Sequence, residues 1–178
     1  MLNTLSFHED NYKQIEFLPE QNYFKTRLDI EAFPAQEFTL SGFQSITSRN
    51  EPLVKIEELK IPVEQLNLLL SKICIGFFPI VKIGYGDNYV LKAHTVGYGF
   101  ERLGVIVESN DLFVTNLWLG LSSSFQFSKS CTQLLNALLT LGTVYQLLLV
   151  DWDEEIVVRL QNKITIQSYL SSVYGFIF

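Results

Sequence analysis

Hydrophobic and polar positions along this chain change period several times, and each period predicts an element. In YKQIEFL, Ile15 and Phe17 alternate with Gln14 and Glu16, the period of a half-buried strand, and Pro19 ends it. EQNYFKTRLDIEAF follows as a helix, with Tyr23, Leu28 and Phe33 as its apolar positions. EFTLSGFQSITS predicts a strand interrupted at Gly42. In PLVKIEELKI, Leu53, Lys55 and Glu57 alternate with Val54, Ile56 and Glu58, which predicts another strand. The period then lengthens. Val63, Leu66, Leu70 and Ile73 recur at helical spacing in IPVEQLNLLLSKICIG. Pro62 suits the first turn of that helix and Gly76 its end.

The middle of the chain is rich in strand signals. FPIVKIGYGDNYVLKAHTV predicts two strands around Gly86-Asp87-Asn88, and RLGVIVESNDLFVTNLWLGL two more around Ser109-Asn110-Asp111. Short turns between four strands predict an antiparallel meander. In SKSCTQLLNALLTLG, Cys131, Leu134, Leu135 and Leu138 mark one face of a second firm helix, with Gly142 at its end. VYQLLLV reads as a buried central strand, IVVRL as a further extended piece, and NKITIQSYLSS as a short last helix capped by Asn162. Helices and hairpins mix without strict alternation. The expected fold is therefore α+β, with a mostly antiparallel central β-sheet flanked by two or three helices. No repeat or linker divides residues 1–178, which are expected to form one domain.

Composition narrows the function. Charged residues make up 18% of the 178 residues, and mean hydropathy is +0.20. So few charges favour a chain with a covered face, as in a homodimer, a complex subunit or a neighbour of a membrane. The net charge of −6 and the scattered 13 Lys and Arg argue against nucleic acid, whose phosphates select basic surfaces. A charged partner is instead expected to be basic. Cys74 and Cys131 form no motif, and the first residues lack a signal-peptide pattern, so a reducing, cytoplasmic setting is expected. Between Lys129 and Asp151 no charge occurs, but polar residues and Gly142 interrupt the run. It reads as a helix and a buried strand rather than a membrane span.

The candidate chemistry centres on LLLVDWDEEIVV, where Asp151, Asp153, Glu154 and Glu155 surround Trp152. Carboxylates so close can work as acid and base or hold a hard cation. Calcium-loop spacing fails here, because no Gly follows and Glu154 breaks the alternation. The cluster reads as a solvated turn between strands, or as a surface for a basic partner. Gly84-Tyr85-Gly86 and Gly97-Tyr98-Gly99 lack the helix and lysine of a phosphate loop and read as turns or bulges. His8 and His94 have no partner constellation. No catalytic residue, metal site or cofactor is assigned.

Two segments carry a family resemblance. SFHEDNYKQIEFLPEQN and YQLLLVDWDEEIVVRLQNKITIQSYL resemble bacterial immunity proteins of toxin–immunity systems, including the contact-dependent growth inhibition type. The shared pattern is a histidine–acid–acid opening before a strand ending in Leu-Pro. A late strand ending in Asp-Trp then leads to an extended piece and a short helix. The two segments make up about a quarter of the chain. The resemblance implies a cytoplasmic, non-catalytic protein that binds and blocks the toxin domain of a cognate secreted effector. Many such toxins are nucleases with basic surfaces, which an acidic inhibitor matches by charge. The partner-binding residues expected on this basis are Glu9, Asp10, Asp151, Trp152, Asp153, Glu154 and Glu155. Two rivals stay open. One is an enzyme or small-ligand protein with an aromatic pocket that uses His94 or His8. The other is a self-associating structural subunit.

Overall fold

The computed structural model describes residues 3–32, 38–39, 42–43, 49–74, 76–100, 103–121 and 131–178. The strands are β1 (Thr4–His8), β2 (Ile15–Pro19), β3 (Phe38–Thr39), β4 (Gly42–Phe43), β5 (Gly76–Phe78), β6 (Ile80–Tyr85), β7 (Asn88–Leu91), β8 (Thr95–Phe100), β9 (Leu103–Ser109), β10 (Val114–Leu121), β11 (Leu147–Asp151) and β12 (Ile156–Arg159). The helices are α1 (Tyr23–Glu31), α2 (Val63–Ile73), α3 (Cys131–Tyr145) and α4 (Lys163–Tyr174). Seven strands form an antiparallel sheet in the order β12-β11-β2-β10-β9-β8-β5. A smaller sheet has the order β1-β6-β7, with β1 parallel to β6, and β3 pairs with β4. The fold is α+β, as expected from the sequence.

Alternation along the strands sorts their side chains onto two faces. Ile15, Phe17, Leu147 and Leu149 point to one face, where α2, α3 and α4 supply Leu66, Leu70, Leu134, Leu138, Ile166 and Leu170. Each fully buried leucine there contributes roughly 2 kcal/mol. The opposite face has two covers. Ile106 and Trp118 pack under Leu5, Phe7 and Val81 of the small sheet, and Leu18, Leu148 and Val150 pack with Tyr23 and Ile30 of α1. Asn162 caps α4 by accepting from the Ile164 N–H at 2.9 Å, and Gly175 ends it at φ 68°.

Several expectations are corrected. The meander is split: β6 and β7 belong to the small sheet, while β8, β9 and β10 run through the large one. Residues 56–59 of the expected strand in PLVKIEELKI form a 3₁₀ turn, in which the Glu58 carboxylate accepts from the Lys55 N–H at 2.7 Å. That local bond competes with a strand ladder. Helix α2 ends at Ile73, and Gly76 pairs with Gly99 instead of stopping it. Gly142 lies inside α3, where a Cβ would come within 2.3 Å of the Leu160 backbone; it serves a close crossing rather than a helix end. In α1, Leu28 is exposed, and Tyr23, Thr26 and Ile30 turn inward. His94 stands in a turn at φ 51° rather than in a strand, and Gly97-Tyr98-Gly99 lies within β8. Phe33 and most of the strand expected over 37–48 lie outside the described residues; the described parts of that stretch, Phe38–Thr39 and Gly42–Phe43, are strand. Among the described residues no helix is long and apolar enough to cross a membrane.

Candidate functional site: the acidic turn and its anchors

Strand β11 is buried at all five positions and ends in Asp151, which is 0% exposed. Alternation turns Asp151 toward α4. Its Oδ2 accepts from the Tyr169 hydroxyl at 2.6 Å and the Tyr174 hydroxyl at 2.7 Å. Its Oδ1 accepts from the backbone N–H groups of Asp153 at 3.2 Å and Glu154 at 3.1 Å, which curls the chain into a turn. Burial, followed by the Asp151 charge, pushes the Tyr169 phenol far above its ordinary value. Burial is also the largest cause of the upward shift at Tyr174. Both hydroxyls therefore stay protonated and donating. Asp151 is thus withdrawn from the expected partner-facing set: it is an internal anchor, not a surface acid.

Trp152 is the second anchor. Its backbone N–H donates to the Gln14 carbonyl at 2.9 Å, and its indole Nε1 donates to Glu16 Oε1 at 2.7 Å. The Arg49 guanidinium lies 4.9 Å from the ring centroid. Arg49 also donates to the Lys13 carbonyl at 2.8 Å and to Gln14 Oε1. Burial raises the Glu16 carboxyl above its ordinary value, against the opposing pull of Trp152, Arg49 and Lys13.

Between the anchors and β12, Asp153, Glu154 and Glu155 are exposed, and Glu155 closes the turn at φ 56°. The Asp153 carboxyl is raised by partial desolvation first and by Asp151 second, with Arg49 opposing. Glu9 and Asp10 are exposed in the 3₁₀ turn after β1. There His8 Nδ1 lies 3.2 Å from the Asp10 carboxylate, and the His8 ring meets Tyr85 edge-on at 4.8 Å. The two acidic groups therefore sit at opposite ends of the connection from β1 to β2. Glu9 and Asp10 lie beside β6, and the late cluster meets Gln14.

Two acidic residues outside the expected set are more deeply engaged. Glu16 is one. Glu108 is the other, accepting from Trp118 Nε1 at 3.1 Å, Asn116 Nδ2 at 3.0 Å and the Tyr12 hydroxyl at 3.3 Å. The only sequence signal for Glu16 was its polar register opposite Ile15 and Phe17. Nothing local marked its burial, because Trp152 and Arg49 arrive from distant segments.

Among the grooves lined by described residues, three flank these elements. One of about 320 Å³ is lined by Lys13, Glu16, Glu51, Lys55, Glu57 and Asn116, among others. A second, of about 310 Å³, lies between α1 and β12 and includes Arg27, Glu31 and Glu155. The third, of about 370 Å³, runs along β12 and α4. His8 and His94 line none of the three. His94 is exposed, 3.6 Å from the Asp111 carboxylate. Among the described residues, no group of three or more His, Cys, Asp or Glu is placed to hold a metal ion. Compared with protein-family models, curated proteins and solved structures, the chain matches none.

Proposed function

We propose that this chain is a cytoplasmic immunity protein, a stoichiometric inhibitor that binds the basic toxin domain of a cognate effector. The observation that carries the reading is the anchored turn. Asp151 and Trp152 hold its base inside the fold, and Asp153, Glu154 and Glu155 are left exposed on the pinned turn. A group of like charges on a pre-formed backbone turn suits fast, selective capture of a basic surface, because the backbone there needs little ordering at encounter. The net charge of −6 has the matching sign. Glu9 and Asp10 form a second, separate acidic contact in this reading.

The experiment pairs the purified chain with the C-terminal domain of any large effector found encoded beside its gene. Reversing Asp153, Glu154 and Glu155 to lysine together is expected to slow association at least tenfold and to flatten its salt dependence. Unchanged affinity would remove the turn from the interface. Absence of any toxin protection by the wild-type chain would overturn the reading itself.

A further inference from the structure

We infer that the β6–β7 hairpin is a homotypic contact, in which β7 of one copy pairs antiparallel with β7 of a second copy about a two-fold axis at Val90. All four residues of β7 are exposed, on both faces of the strand. Val90 is 70% and Leu91 59% exposed, beside Tyr85 at 64%. Among the described residues β7 pairs only with β6. The β12 edge is different, since α1 and α4 flank it and Arg159 is ion-paired to Glu20. A bare apolar strand edge is a template for another strand. The low overall charge of the chain points the same way.

Backbone register selects the pairing. Tyr85 and Asn88 face each other across the Gly86-Asp87 turn, and the Lys92 N–H donates to the Val81 carbonyl at 2.9 Å. Positions in an antiparallel ladder alternate between bonded and non-bonded pairs. Asn88, Val90 and Lys92 therefore direct their backbone groups to β6, and those of Tyr89 and Leu91 face outward. A two-fold axis through Val90 sets Tyr89 of each copy opposite Leu91 of the other, so every outward group finds a partner. Val90 then meets Val90 as a non-bonded pair, with apolar side chains in contact.

Charge agrees with a second copy as the occupant. Asp87 precedes the strand, and Lys92 follows it with its ammonium 4.3 Å from the Tyr12 ring centroid of the same chain. Antiparallel pairing brings each copy's acidic end to the other's basic end, whereas parallel pairing would set like charges together. This inference is independent of the immunity reading, and its test contains no toxin.

The full chain is examined by sedimentation velocity across the micromolar range. Wild type is expected to show a concentration-dependent dimer, and Val90→Lys to be monomeric with an unchanged circular dichroism spectrum. Ile164→Lys, at an exposed apolar position on α4, is expected to retain the dimer. As a second reading that tolerates a folding defect in Val90→Lys, Val90→Cys is expected to cross-link between copies on mild oxidation, and Leu112→Cys is not. A non-bonded antiparallel pair lies about 4.5 Å apart at Cα, within disulfide reach. A monomeric wild type would overturn the inference. So would a dimer unaffected by Val90→Lys that does not cross-link at position 90.

Discussion

The turn between β11 and β12 and the turn between β6 and β7 do the same topological work in opposite chemical ways. The first is acidic, yet its base is built into the protein. Asp151 accepts from two tyrosine hydroxyls and two backbone N–H groups, and Trp152 reaches Glu16. The second is flanked by apolar residues, yet they face outward, with Val90 and Leu91 exposed and, among the described residues, β6 their one strand partner. The lesson is that charge content does not by itself locate solvent, nor apolar content the core. What decides is whether distant segments supply partners. Tyr169 and Tyr174 supply them to Asp151. Among the described residues, no strand does so for the outer edge of β7.

The largest expected effect tests the buried anchor. Asp151→Ala leaves two tyrosine hydroxyls and two N–H groups without their acceptor, and should cost about 3 kcal/mol in urea denaturation. Glu155→Ala, four residues on at the exposed end of the same turn, should stay within about 0.5 kcal/mol. Equal effects at the two positions would erase the distinction between anchor and surface. On the other side of the comparison, Gly84→Ala places a Cβ 2.0 Å from the Asn88 carbonyl oxygen. It should cost about 2 kcal/mol through the forced separation of β6 and β7. Faster amide exchange confined to β7 would sharpen that result, showing how far that strand depends on its ladder to β6.

The smallest effect is a pH slope at Glu16. Burial raises its folded-state pKa above the ordinary 4.5. The folded protein thus keeps the proton longer than the unfolded chain, and the associated stability is complete below the ordinary value. It is lost as pH rises through the raised one. Wild type should therefore lose stability relative to Glu16→Gln as pH climbs above 4.5, read as the difference in urea midpoints across a pH series. A flat difference would show that Glu16 is not desolvated beneath Trp152 and Arg49.

Signals that act over a few residues were legible in the sequence. The Asn162 cap, the Gly86-Asp87 turn and the apolar run of β11 follow from backbone bonds and hydrophobic period, and all three stand in the structure. The α+β class followed from their order. Gly142 misled because a glycine at a helix end and a glycine under a closely passing backbone look alike until Leu160 is in place. PLVKIEELKI misled because its alternation also fits a turn that Glu58 can cap. Within the candidate site, the sequence located the acidic turn but not which of its acids faces inward. It missed Glu16 as a half-buried, partnered carboxylate, since its indole donor lies 136 residues away.

By itself, then, the chain determined its local elements, its class and the position of its charged turn, because periodicity, caps and turn residues act through neighbouring backbone. Only the tertiary structure decided that Asp151 is interior, that Glu16 is half-buried beneath Trp152 and Arg49, and that the outer edge of β7 has no strand partner among the described residues. Each of these depends on which distant side chains converge, and desolvation and hydrogen bonding are properties of that convergence.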